Sequence, residues 1–338
     1  MAMGIVIGCA GDGGTPAMPS IPGGLNDTCQ TAQNFVCEEL DGCPLGTDST
    51  DCVRHCEDTT NQWDGACTHR AAAARPEAVE AERGSGGSGG PVGTWDGRVT
   101  VRGAATGSEV ERHYRVYVPR RYNPDRPTPV LFALGGFTVD MYWMAEFTEL
   151  DRAADRDDFI VVYAHPEYRN FSGTWLYAWY VYEAAFQGGW SDNPDLAYLE
   201  AVLMEVGGLY NVDRTRVFVS GHSRGGGLSV IAGFERPDLF SGFCAQAGFA
   251  NVNDYDQRMA DRADVARPAS ILIHGDADPD VNVSASDAMA SDLDALGFGS
   301  DLWYARIPGA THEWQSQLNP AVLEFLIERP LPLEEVGW

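Results

Sequence analysis

From residue 94 onward, short apolar runs alternate with stretches of helical length. The first two runs, Arg98–Val101 and Val110–Val118, alternate polar and apolar residues at period two. That pattern predicts half-buried antiparallel strands at the start of a sheet. The later runs are apolar almost throughout: Pro129–Leu134, Phe159–Tyr163, Val217–Ser220, Phe240–Ala247, Ala269–His274 and Leu302–Ile307. Helical patterns fall between them, at Met144–Arg156, Leu196–Leu209, Leu228–Phe234, Ala285–Leu296 and Pro320–Ile327. Apolar strands interleaved with helices predict an α/β fold, a mostly parallel, doubly wound sheet covered on both faces. Ligands of such sheets bind beyond the carboxyl ends of the strands.

The first 93 residues read differently. Six cysteines, Cys29, Cys37, Cys43, Cys52, Cys56 and Cys67, fall within 39 residues of a mainly polar stretch. They predict a small disulfide-rich module over 25–69 and an oxidising compartment. Zinc is the rival, since His55 and His69 lie nearby, but the spacings form no paired Cys-x-x-Cys knuckles. Residues 70–93 read as a linker, an Ala/Glu/Arg stretch followed by the flexible coil of Gly84–Pro91. Residues 1–24 read as the remnant of a lipoprotein signal and its tether, with Val6-Ile7-Gly8-Cys9 as a lipobox and Cys9 as the lipidated residue. The catalytic-type domain is then 94–338.

Charge narrows the partners. The net charge is −26, and all 23 basic residues are arginine. A nucleic-acid partner calls for a basic footprint, which this balance excludes. No apolar run approaches the ~20 residues of a membrane span. The expectation is a secreted, extracellular or surface-tethered monomer that touches membrane only through a lipid on Cys9.

The candidate chemistry centres on Gly221-His222-Ser223-Arg224-Gly225, set between the Val217–Ser220 strand and an apolar helix. Strand, sharp turn and helix form the setting in which Gly-x-Ser-x-Gly raises a serine above a sheet. A serine hydroxyl needs a base to take its proton. Among seven histidines, His312 directly follows a strand and precedes the last helix, in the chain order serine, acid, histidine. The acid loop after Ile271–Gly275 offers Asp276, Asp278 and Asp280, with Asp278 favoured just beyond the strand. Two backbone N–H groups should face a developing oxyanion, those of Arg224 and of Phe137 after Gly135-Gly136. No metal and no organic cofactor is expected.

These motifs carry a resemblance. Ala133–Asp140, Val212–Gly226, His274-Gly-Asp-Ala-Asp278 and Gly309-Ala-Thr-His312 are similar, in this order, to the extracellular esterase family of polyhydroxyalkanoate depolymerases, feruloyl esterases and acetylxylan esterases. The resemblance covers about residues 110–328. It implies an α/β-hydrolase fold without a large lid, Ser223, Asp278 and His312 as a triad, and a carboxylic ester as substrate. Family members often carry His-Gly-Cys where this chain has Gly135-Gly136-Phe137. A serine peptidase of the same fold and a polymer-binding surface protein are the other readings.

Tyr168–Trp190 holds nine aromatics in 23 residues, interrupted by glycines. It reads as a loop-like binding wall for sugar, aryl or polyester groups, with Trp175 and Trp179 as contacts. Trp314, two residues past His312, is placed in the same cleft. Arg224 reads as a solvent-facing arginine at a helix start, and Cys244 as a small buried hydrophobe.

Overall fold

The apolar runs become the strands of one eight-stranded sheet. The computed structural model describes residues 80–103, 107–171, 173–181, 192–249 and 267–338. In chain order the strands are β1 (Gly93–Arg102), β2 (Glu109–Val118), β3 (Thr128–Leu134), β4 (Ile160–Ala164), β5 (Glu167–Phe171), β6 (Thr174–Ala178), β7 (Val212–His222), β8 (Gly242–Gln246), β9 (Ala269–Gly275) and β10 (Leu302–Ile307). The helices are α1 (Glu80–Arg83), α2 (Met141–Phe147), α3 (Leu150–Asp157), α4 (Pro194–Leu209), α5 (Arg224–Glu235), α6 (Ser284–Ala295) and α7 (Asn319–Ile327).

The sheet order is β1-β2-β4-β3-β7-β8-β9-β10. β1 and β2 form the expected antiparallel pair, β2 joins β4 antiparallel, and the remaining neighbours are parallel. Burial on both faces explains the unbroken apolar runs. Along β3, Val130, Phe132 and Leu134 point into one core while Leu131 and Ala133 point into the other. α4, α5 and α6 cover the first face; α2, α3 and α7 cover the second.

Register aligns the strand ends. Leu134 is opposite Gly221, His222 is opposite Gln246, and Ile307 is opposite Gly275. The loops after β3, β7, β9 and β10 therefore leave from one edge.

Three segments differ from their sequence reading. The Met144–Arg156 helix is two helices, α2 and α3. Glu149 between them sits at φ 57°, and the Thr148 carbonyl accepts a hydrogen bond from Asn319 Nδ2 at 2.7 Å. A buried side-chain donor from α7 thus takes the carbonyl that a continuous helix would use. The aromatic run is a hairpin at its start, β5 paired antiparallel with β6. Finally, Gly84–Pro91 is a docked strap rather than flexible coil. Ser85 N–H donates to Val212 O at 2.9 Å, Ser85 Oγ to Gly207 O and Tyr210 O, and Gly89 N–H to Leu209 O. Tyr210 hydroxyl donates to Pro91 O at 2.7 Å. Glycine is needed there because a Cβ on Gly87 would overlap the Tyr210 backbone.

Cys9, the 25–69 module and residues 70–79 lie outside the described residues, as do Tyr182, Phe186 and Trp190. Among the described residues, no helix is long and apolar enough to cross a membrane.

Candidate active site

β7 ends in a strained turn. Ser223 has φ 55° and ψ −118°, outside the regions open to an ordinary side chain and worth ~1–3 kcal/mol of strain. The turn is packed backbone to backbone. A Cβ on Gly221 would overlap Gly225, and one on Gly225 would overlap the Leu134 and Gly135 carbonyls. Ser223 N–H donates to Gln246 O at 2.8 Å, which pins the turn to β8. Arg224 then opens α5, so the first turn of a helix lies behind the Ser223 hydroxyl.

The loop after β3 passes directly over this turn. A Cβ on Gly136 would come to 3.2 Å from Ser223 Cβ. Thr138 N–H donates to Tyr177 O and Val139 N–H to Gly136 O. Among the described residues, nothing accepts the Phe137 N–H, which leaves a backbone donor beside Ser223.

His312 and Asp278 meet from separate strand ends. His312 Nδ1 lies 2.7 Å from Asp278 Oδ2. The carboxylate is fully covered, while the imidazole keeps 16% of its surface. A carboxylate only accepts, so Nδ1 carries the hydrogen and Nε2 is left as the basic nitrogen. The His312 ring stands 4.8 Å from that of His222, the neighbour of Ser223. Burial disfavours charge on Asp278. The N–H of Val281, the His312 hydrogen bond and the N–H of Asp280 outweigh it and hold the carboxyl below its usual range. Asp276 plays a different part. Its Oδ1 accepts the Gly309 N–H at 2.7 Å and ties down the loop that carries His312. Asp280 is exposed and gives Asp278 only its backbone N–H.

Among the described residues, Asp278, Asp280 and His312 bring ligand atoms within 4.8 Å of one another. Both Asp278 oxygens already accept N–H groups, so this carboxylate is committed to its hydrogen bonds.

The family follows from the chain as a whole. Residues 105–323 match the family model described as an esterase. The chain belongs to this esterase family. The protein is a carboxylic ester hydrolase of the α/β-hydrolase superfamily. Similar solved structures include a thermostable esterase, with 21% identity and a TM-score of 0.51 over 70% of this chain and 63% of that one. The chain thus spans less than two thirds of that esterase. An S-formylglutathione hydrolase from Agrobacterium tumefaciens gives 18% and 0.51 over 71% and 97%. A ferulic acid esterase gives 18% and 0.53 over 70% and 99%. At these identities the likeness is one of fold. No curated protein matches the chain in sequence.

In this esterase the aromatic wall divides by face. Cross-strand partners Tyr168–Tyr177 and Asn170–Trp175 share one face of the β5–β6 hairpin, and Phe171 lies on the other. Trp175 is 53% exposed and stacks on Tyr168 at 5.5 Å. Phe171 instead packs edge-on against Phe137 at 5.5 Å. Two expected contacts need correction. Trp179 is fully buried, and its Nε1–H donates to Gly135 O at 2.8 Å. It braces the loop over Ser223 rather than offering a face. Trp314 is also buried, with its Nε1–H on Asn319 Oδ1 at 3.1 Å. It packs in the core below His312.

Arg224 is corrected too. It is 8% exposed, not solvent-facing, and its Nε donates to Trp179 O at 2.7 Å. Its guanidinium lies 5.8 Å from the rings of both Phe137 and Phe171. Cys244 is buried as expected, with its thiol pushed up to about 12 by burial.

Two aromatics of α2 are not singled out by the sequence pattern, and one of them borders the site. Phe147 meets the His222 ring edge-on at 6.4 Å and is 36% exposed. Trp143, one helical turn earlier on α2, is 65% exposed. Their i, i+4 spacing is legible in the sequence, but a helix expected to start at Met144 hides it. His274, part of the motif with Asp278, has no role assigned by the sequence. It is buried beside Asp278 with Nε2 3.2 Å from Oδ2.

Proposed function

We propose that this esterase is a secreted serine carboxylesterase that works through an acyl-enzyme on aromatic or polymer-linked esters. Ser223 Oγ attacks the ester carbonyl while His312 Nε2 takes its proton. Asp278 holds the His312 tautomer and stabilises the imidazolium. The backbone N–H groups of Phe137 and Arg224 receive the oxyanion. Collapse expels the alcohol with the proton from His312, and water then repeats the sequence on the acyl-enzyme.

The observation that carries this reading is the 2.7 Å His312–Asp278 hydrogen bond at the strand-end edge that also bears the strained Ser223 turn. The aromatic surroundings support the substrate class: Phe147 meets His222 beside the serine, Phe137 follows Gly136 over it and packs on Phe171, and the Tyr168–Trp175 pair is exposed. Rings of this kind take aryl groups and sugar faces. The net charge of −26 disfavours anionic substrates and favours neutral esters. The cysteine-dense stretch before the catalytic domain supports an oxidising, extracellular setting.

A substrate panel tests the class. p-Nitrophenyl butyrate, a feruloyl ester, acetylated xylan and polyhydroxybutyrate are compared by kcat/KM. At least one of the last three should exceed the butyrate. Turnover confined to the butyrate contradicts the aromatic or polymeric assignment.

A further inference from the structure

One buried titratable ring beside the site has no part in the steps above. His274, the penultimate residue of β9, is 1% exposed. Its Nε2 lies 3.0 Å from Val281 O and 3.2 Å from Asp278 Oδ2, and its Nδ1 lies 2.7 Å from Ser286 Oγ on α6. A carbonyl oxygen only accepts, so Nε2 carries the hydrogen and the Ser286 hydroxyl donates to Nδ1. The Nε2–H then points between Val281 O and Asp278 Oδ2. The same Oδ2 accepts from His312 Nδ1 at 2.7 Å. One carboxylate oxygen stands between two imidazoles, one open to the site and one locked in the core.

We propose that His274 is a positioning residue: its Nε2–H orients the Asp278 carboxylate and takes part of the Oδ2 charge that His312 would otherwise feel alone. The inference rests on the Ser223–Asp278–His312 reading. Asp278 Oδ1 is held by the N–H groups of Asp280 and Val281 at 2.8 and 2.9 Å. Among the described residues, only the two histidines reach Oδ2. Burial, opposed by the Val281 carbonyl and Asp278, lowers the basicity of His274 and keeps the ring neutral, so Nδ1 stays an acceptor. The titratable groups facing it are Asp278 in the following loop, His312 from the loop after β10 and His222 from the nucleophile turn. From α6 it meets the uncharged Ser286.

The test uses the full chain with p-nitrophenyl butyrate and reads kcat, KM and the pH profile of kcat/KM. His274→Phe keeps a ring but removes both polar contacts, and His274→Gln keeps a donor near Nε2. His274→Phe should lower kcat about tenfold, a part of the ~10²–10⁴ that a positioned proton-transfer group contributes, with KM unchanged. Its acid limb should move to higher pH, because the Oδ2 charge then acts on His312 alone. His274→Gln should recover most of kcat and return the limb. If His274→Phe does not fold, Ser286→Ala, which frees Nδ1, should shift the limb in the same direction by less. A limb that stays in place in whichever of these two variants folds overturns the proposal, whatever happens to kcat. Ser223→Ala is run alongside. If it retains turnover, the triad reading fails; if it is inactive while His274→Phe matches wild type, only the role of His274 falls.

Discussion

Trp179 joins three parts of the site. Its Nε1–H holds the Gly135 carbonyl, and its own carbonyl accepts from Arg224 Nε and Arg169 Nη1. Through these bonds the loop over Ser223, the start of α5 and the β5–β6 hairpin are set relative to one another. Trp179→Phe keeps most of the buried ring and removes one donor. Loss of an oxyanion donor outright costs ~10²–10³ in rate; loosening its loop should cost less, about tenfold in kcat with KM little changed. Steady-state kinetics on p-nitrophenyl butyrate check this, and an unchanged kcat would show that the Gly135 contact does not matter to the chemistry. Residue identity alone does not separate Trp179 from Trp175. Both belong to one aromatic run, yet one is fully buried and the other half-exposed. The candidate pair Asp278 and His312 is legible because each lies on a loop directly after an apolar strand. The partner of His274 is not, because it depends on how the loop from Asp278 to Val281 folds back across the ring.

At the scale of elements, each apolar run read as a strand forms one among the described residues, since burial on two faces leaves few polar positions to blur the pattern. Breaks and docking are less visible. The end of α2 depends on Asn319, far along the chain, taking the Thr148 carbonyl. The strap at Gly84–Pro91 depends on Tyr210 and Val212 offering partners. The segment after β6 is anchored in the same non-local way. Asp195, at the start of α4, accepts from Arg112 at 3.0 Å and from Tyr180 N–H at 2.7 Å, and both charged side chains are buried. The Arg112 guanidinium also lies 4.0 Å from the Tyr198 ring. Asp195→Ala leaves that guanidinium buried without its carboxylate, a change worth about 3–5 kcal/mol. Denaturant unfolding should show a loss of this order, and a loss below ~1 kcal/mol would assign the pair the small worth of a surface contact.

Across the whole molecule, polarity is arranged along β7. The strap pairs at Val212 and Asp213, while Ser223 follows His222 at the other end; Val212 and Gly221 lie opposite Thr128 and Leu134 of β3, about 20 Å apart at the usual strand rise. The strap therefore docks at the end of β7 remote from the serine. The site also makes stability depend on pH. Burial, followed by repulsion from His312, pulls His222 down to about 4, and burial lowers His165 and His274 as well. A histidine in the unfolded chain protonates near ~6.5. Between the two values the unfolded state binds more protons, so the stabilisation is complete above ~6.5 and is lost as pH falls towards 4. At constant ionic strength the thermal midpoint should fall between pH 7 and pH 5. His222→Gln should show a shallower fall, and an equal slope in both proteins would contradict the assignment to His222.

Trapping the acyl-enzyme tests the proposed role of Ser223 as nucleophile most directly. Mass spectrometry after a brief incubation with p-nitrophenyl butyrate at low pH, where deacylation is slowed, should show one butyryl group per chain on the peptide containing Ser223. Ser223→Ala should show none and should lose at least about 10³-fold in kcat. Butyrylation elsewhere, or turnover by Ser223→Ala at the wild-type rate, would contradict it.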